Sequence, residues 1–134
     1  METLLPPDWS KPRGHAHGMV AEGKLVFVAG QIGCNAEEKI ETDDFVAQAR
    51  IALQNVCAVL AEAGAGPTEV TRMTWYVTDM AEYLARRREL GEVYRAVMGR
   101  NYPAMTLVEI KSLVEPRAHL EIEATAVVPH DATT

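Results

Sequence analysis

Residues 45–64, FVAQARIALQNVCAVLAEAG, carry Val46, Ala49, Leu53, Val56, Leu60 and Ala63 at spacings of three and four, which places them on one face of an α-helix. A helix with such a face is marginal alone in water and needs another layer to cover it. Thr42 and Asp43 are the N-cap candidates, and Gly64 suits the left-handed position after the last turn. After a Gly-Ala-Gly-Pro turn, residues 70–78 alternate Met73, Trp75 and Val77 with Arg72, Thr74 and Tyr76, the period of a strand. A long amphipathic helix running straight into a strand restricts the chain to a layered helix-on-sheet arrangement.

The remaining segments fill in that arrangement. Residues 1–17 contain Pro6, Pro7 and Pro12 and read as an extended lead-in. Apolar runs at 19–21 and 25–29 around Glu22-Gly23-Lys24 predict a hairpin, and Gly30 follows where the backbone bends or approaches a ligand. Residues 34–44 are polar and predict a loop. Asp79 caps a second predicted helix with the stripe Met80, Tyr83, Arg87, Leu90, Tyr94 and Val97, ending near Gly99; Arg87 is its odd member. Strands are expected at 105–111 and 119–128, joined through Glu115-Pro116-Arg117, with a tail at 129–134. The order is ββαβαββ, an α+β chain with one sheet covered by two helices. The 134 residues, 48% of them hydrophobic, fit a single domain spanning 1–134. Only one sheet face is covered this way. The other, with Tyr76 on one strand and Glu121 and Glu123 on another, calls for a homo-oligomer.

Charge and composition exclude several function classes. Thirteen Lys and Arg against 19 Asp and Glu give a formal charge of -6, a balance that repels nucleic acid. No apolar stretch is long enough for a membrane span and the N-terminus lacks a secretory pattern, so a cytoplasmic protein is expected. Cys34 and Cys57 form no CxxC pair, and His15, His17, His119 and His130 form no HExxH pattern, so no metal site is expected.

The segments VAGQIG at 28–33, QARIALQNVCAVLAEAGA at 48–65, VTRMTWYVTDM at 70–80, NYPAMTLVEI at 101–110 and LEIEATAVV at 120–128 together resemble the reactive intermediate deaminase (Rid, YjgF-like) family over nearly the whole chain. The resemblance implies a chorismate-mutase-like fold with one mixed sheet, and a homotrimer with a central barrel, outer helices and three clefts between subunits. It also implies hydrolysis of imines and enamines, such as 2-aminoacrylate, to a carbonyl compound and ammonia without metal or cofactor. In the founding group an arginine after Pro-Ala holds the substrate carboxylate, as guanidinium does through two charge-assisted hydrogen bonds. Met105 stands at that position here, Leu107 matches the family cysteine and His15 the family tyrosine, whereas Gly30 and Glu121 are kept. Met105 and Leu107 alternate onto one strand face, which predicts an apolar cleft wall.

Arg87 falls where the founding group has a cleft-lining asparagine, and its place in the apolar stripe points it inward. It is therefore the candidate to supply from the helix the charge that Met105 does not supply from the strand. The alternative is that it extends the exposed run Arg86-Arg87-Arg88 or pairs with an acid across the trimer interface. Glu121 is the candidate to orient the attacking water or take its proton, the alternative being a salt bridge to Arg72 or Arg117. His15 is either a proton donor or a surface residue. Cys34 is a cleft-rim candidate without a histidine partner, Cys57 and Trp75 read as packing residues, and Trp9 is a possible ligand-lining aromatic. The expected function is a cofactor-independent deaminase of a 2-aminoacrylate-type substrate or a bulkier one such as 2-aminomuconate. The alternative is a non-catalytic trimer binding a small metabolite in its clefts. An endoribonuclease or translation-inhibiting role is disfavoured by the net charge and by the lack of a basic patch with interleaved aromatics.

Overall fold

A computed structural model describes residues 1–130. The elements are β1 (Glu2–Leu4), β2 (Gly18–Val20), β3 (Lys24–Gln31), α1 (Phe45–Glu62), β4 (Val70–Val77), α2 (Met80–Ala85), α3 (Arg87–Met98), β5 (Ala104–Glu109) and β6 (Leu120–Val128), with a 3-10 turn at Pro67–Glu69 before β4. The expected tail lies outside the described residues from position 131 onward.

The helix read from 45–64 is α1. Its cap is Asp44 rather than Thr42 or Asp43: the Asp44 carboxylate accepts from Ala47 N at 2.9 Å. Thr42 instead accepts from Asp44 N, and Asp43 turns to the Arg117 guanidinium at 2.9 Å. Gly64 takes the left-handed conformation with φ 70°. Ala49, Leu53, Val56 and Leu60 are fully buried, whereas Ala63 is exposed, so the stripe stops one turn short of the sequence pattern.

Four strands form a mixed sheet in the order β3-β6-β4-β5. β6 is antiparallel to both β3 and β4, and β4 is parallel to β5. A parallel pair needs a crossover, and α2 with α3 supplies it. The α+β architecture with a mixed sheet is therefore as the sequence implies, with three departures in detail.

First, the hairpin expected between 19–21 and 25–29 does not form. β2 pairs instead with β1 from the lead-in, Thr3 opposite Met19, and β3 pairs with β6, Lys24 opposite Val128. Gly23, at φ 151°, turns the chain from one ladder to the other while pressed on the backbone of Val128: a side-chain carbon there would lie 2.1 Å from the Val128 carbonyl oxygen. Second, the lead-in is not wholly without regular structure, since it contains β1. Third, the second helix is broken at Arg86, which closes α2 and opens α3 with φ -114° and ψ 17°. No Gly or Pro marks the break. Arg86 is held there by Glu89 at 2.7 Å and by Asp44, the cap of α1, at 3.2 Å.

The core lies between the helices and one sheet face. Met73 and Val77 of β4, Leu120 and Ile122 of β6, and Leu53 and Val56 of α1 are fully buried, each worth roughly 1.5–3 kcal/mol relative to exposure. Gln48 is buried among them with every polar atom used. Its Nε2 donates to the carbonyls of Thr42 and Arg117 at 2.9 and 3.1 Å, and its Oε1 accepts from His119 N at 2.8 Å. Asn55, two turns along α1, donates to the carbonyls of Ile32 and Cys34. These two amides tie the loop that leaves β3 and the loop that enters β6, at one end of the sheet, to α1. The opposite sheet face is uncovered: Leu25 and Phe27 are 60% and 72% exposed beside Tyr76, Glu121 and Glu123.

Candidate functional site

A concavity of about 580 Å³ opens where α2 and α3 meet the core-side face of β4 and β5 and the end of the lead-in. Trp75, Leu90, Met105 and Leu107 give it an apolar wall, as the strand alternation predicts. Tyr83, Tyr94 and Tyr102 add aromatic surface, with Tyr94 stacked on Tyr102 at a centroid distance of 5.4 Å. Tyr94 Oη donates to the Asn101 carbonyl, and burial pushes its phenol well above the usual range, so Tyr94 acts as a wall and not as a proton donor to solvent. The Trp75 indole N–H is buried without an acceptor among the described residues. An unmet buried donor is costly in a native site, and a ligand or water acceptor is the usual remedy.

The charged lining has one sign. Arg13, Arg87 and Arg95 line the concavity together with His15, and no Asp or Glu does. None of the three arginines makes a salt bridge among the described residues. Their neighbours do: Arg86 binds Glu89 and Asp44, and Arg88 lies 3.9 Å from Glu92. Arg87 therefore pairs with no acid among the described residues of its own chain. It is exposed, and it lines the concavity on the same helix stripe as Leu90 and Tyr94, the break at Arg86 falling just before it.

The lead-in is pinned to β5 by a bridge between Ala16 and Ala104 and by Ala16 N donating to the Pro103 carbonyl at 2.9 Å. That contact sets His15 and Arg13 beside Met105. His15 Nδ1 lies 3.0 Å from the Arg13 carbonyl, which orients the ring and leaves Nε2 for a ligand.

Glu121 and Gly30 are elsewhere. Glu121 sits on β6 opposite Tyr76, on the uncovered sheet face, whereas the concavity uses the other face through Trp75. Its Oε1 fills the space that a side chain at position 30 would occupy. Arg117 is engaged with Asp43 and the Ile40 carbonyl, and Glu121 makes no salt bridge among the described residues. One chain thus gathers Arg87, Met105, Leu107 and His15 in one place and Gly30 with Glu121 in another.

Neither cysteine lines the concavity. Cys57 Sγ lies 3.6 Å from Met98 Sδ, and burial pushes its thiol up. Trp9 packs edge-on against His17 at 4.9 Å and is not part of the wall. Among the described residues no three His, Cys, Asp or Glu side chains are grouped as metal ligands, and no helix is long and apolar enough to cross a membrane. Arg13, Arg95 and the tyrosines escape a sequence reading. The available signal was the spacing of Arg87, Gly91 and Arg95, at i, i+4 and i+8 on one helix face.

A four-stranded mixed sheet with helices on one face and a cation-lined concavity along α3 and β5 defines an α+β layer fold, and comparison with known proteins identifies which. Residues 11–128 match the family model described as Endoribonuclease L-PSP. A RutC family protein of Pyrococcus abyssi is 32% identical over 126 residues, 93% of this chain and 95% of that protein. TdcF of Escherichia coli K12, named as a candidate reactive intermediate deaminase, is 32% identical over 108 residues, 78% of this chain and 80% of that protein. Among solved structures, a Rid family protein of Yersinia pestis with no known function superposes with TM-score 0.84 at 27% identity, covering 95% of this chain and 98% of that one. Escherichia coli TdcF with bound serine gives TM-score 0.67 at 30% identity, covering 96% and 99%. The chain belongs to the Rid, or YjgF-like, family.

Proposed function

We propose that the protein is a hydrolytic deaminase of an anionic imine or enamine, working without metal or cofactor in the cytoplasm. The observation that carries the reading is the concavity lined by three unpaired arginines and no carboxylate, in a chain whose formal charge is -6. An anion is repelled by the net charge of such a surface and attracted where arginines gather without carboxylates.

The reaction needs a bound imine, a water and a route for protons. The guanidinium groups hold the substrate carboxylate, and the wall formed by Met105, Leu107 and Trp75 accepts its carbon chain. Water adds to the C=N carbon, its proton passing to nitrogen, and the carbinolamine collapses to a carbonyl compound as ammonia leaves. His15 faces this space and is the proton donor of the scheme. Glu121 is its water-orienting base, and Gly30 provides the room for that carboxylate.

Because Glu121 lies on the far side of the sheet, the scheme requires a second copy to bring it to the concavity. A homotrimer with the uncovered sheet faces at its centre does so, and it also covers Leu25 and Phe27. The reading is supported by relatives named as RutC family proteins and as a candidate deaminase.

Ammonia release is measured from a panel of imines generated in situ by an amino acid oxidase or an eliminating lyase. Release faster than the spontaneous rate for at least one acidic imine is expected. No acceleration with any of them, alongside carboxylate binding, would establish a non-catalytic metabolite-binding trimer instead.

A further inference from the structure

Arg87, Gly91 and Arg95 lie at i, i+4 and i+8 on α3, so all three face the concavity along a single stripe of the helix. The middle residue is unusual. Glycine in a helix interior costs up to about 1 kcal/mol relative to alanine, and Gly91 does not have the positive φ that would require it. What it does provide is space. A side-chain carbon at position 91 would lie 3.3 Å from Arg95 Nη1, with Arg95 Cζ and Nη2 at 4.0 Å. The Arg95 guanidinium therefore folds back along the helix and lies over the bare backbone of Gly91, toward Arg87.

The two arginine backbones are roughly 12 Å apart along the axis at the standard helical rise. One guanidinium is already turned toward the midpoint, and the other is exposed and free of ion pairs among the described residues. Arg13 adds a third positive charge from the lead-in, and no carboxylate lines the space. A ligand with one negative charge would leave most of this charge uncompensated. A ligand with two anionic groups separated by a short carbon chain would neutralise it, its chain lying against Met105 and Leu107.

We propose that Arg87 and Arg95, on either side of Gly91, form a clamp for two anionic groups, and that the natural substrate is the imine or enamine of a short dicarboxylic acid. This rests on the concavity being the substrate site. Glycine at position 91 is the seat that lets Arg95 reach across the helix face, and Met105 on the opposite wall leaves the anion-binding role to the helix.

The clamp is tested by calorimetric titration of the intact protein with stable probes: butyrate as a monocarboxylate and succinate, glutarate and adipate as dicarboxylates. At least one dicarboxylate should bind about tenfold more tightly than butyrate, a difference of about 1.4 kcal/mol. Arg95→Gln and Arg87→Gln should each bring that dicarboxylate down to the butyrate level. Gly91→Leu, whose longer side chain takes the space over which the guanidinium lies, should weaken it severalfold while leaving the melting temperature unchanged or higher, since leucine favours the helix over glycine. That combination separates a binding role from a structural one. Equal affinity for butyrate and all the dicarboxylates, or undiminished dicarboxylate binding by Arg95→Gln, would overturn the clamp. Ammonia release is scored separately: dicarboxylate selectivity without turnover of any imine leaves the two-arginine clamp standing as a dicarboxylate site and overturns both the deaminase reading and the imine as its natural substrate.

Discussion

The Glu121 carboxylate lies over the bare Cα of Gly30: a side-chain carbon at position 30 would come within 2.5 Å of Glu121 Oε1 and 2.8 Å of its Cγ. The close approach occurs at an irregularity in the β3–β6 ladder, where the register shifts between Val28, opposite Ala124, and Gln31, opposite Ile122. Gly30 has no positive φ, so its role is the space it leaves and not its backbone freedom. Gly30→Ala would push the Glu121 carboxylate aside, and the displaced end is flexible enough to move. The expected result is a fall in ammonia release of tenfold or more with a melting temperature within a few degrees of the parent. Full activity in Gly30→Ala would remove Glu121 from the reaction scheme.

Gln48 is the joint of the fold near that contact, binding His119 two residues before Glu121 and packed under Gly33 three residues after Gly30. Its amide serves the carbonyls of Thr42 and Arg117 and the amide of His119, three backbone groups from two distant loops. Gln48→Leu preserves volume but strands all three. The expected cost is about 2–4 kcal/mol, because each unmet buried group carries its own desolvation penalty. Urea unfolding with an unchanged slope and a lowered midpoint is the measurement.

Asp44 links stability to pH. Its carboxyl is held below the ordinary carboxylate range, chiefly by the hydrogen bond from Ala47 N and further by the Arg86 guanidinium. A folded-state pKa below the unfolded one means that this stabilisation is complete above the ordinary Asp range and is lost as pH falls through the lowered folded value. Asp44→Ala should cost about 1 kcal/mol near neutral pH, the usual value for a lost N-cap. Thermal melts at about pH 7 and about pH 3 should show the gap between parent and variant shrinking in acid. Asp44→Asn, which keeps a capping oxygen, should lose much less at neutral pH. A gap that widens in acid would show that Asp44 is not a net stabiliser in its ionised form.

The periodic elements were legible because their patterns are local. Leu53, Val56 and Leu60 announce α1, and Met73, Trp75 and Val77 announce β4, since burial follows directly from spacing. The errors arise where distant groups decide. The hairpin after Gly18 reads well in sequence, yet β3 is claimed by β6, whose Val128 backbone receives Gly23. The second helix breaks at Arg86 through ion pairs with Glu89 and with Asp44, a residue 42 positions away. Arg95 was not legible as a ligand group because a charged residue one turn from a glycine reads as solvated surface, and only the fold shows its guanidinium lying over Gly91 beside the concavity. Glu121 was legible by resemblance and its sheet face by alternation with Leu120 and Ile122, but the sequence does not show that this face lies opposite the concavity.

That separation yields a decisive test of the assembly. If Glu121 reaches the concavity only from a neighbouring copy, every working site takes Arg87 from one chain and Glu121 from another. Glu121→Gln and Arg87→Gln should each be inactive as pure assemblies. A ring formed by head-to-tail interfaces mixes chains at random, so equal coexpression of the two variants should recover about a quarter of the parental activity, from sites built of the two unaltered halves. The proportion is set by counting interfaces and is independent of which imine is used. Phe27→Asp, placed at the most exposed aromatic of the uncovered sheet face, should give monomers on size-exclusion chromatography and abolish turnover without unfolding the chain. Activity in those monomers, or no recovery in the mixture, would mean that a single chain completes the site, and the role given to Glu121 would have to pass to a residue already lining the concavity.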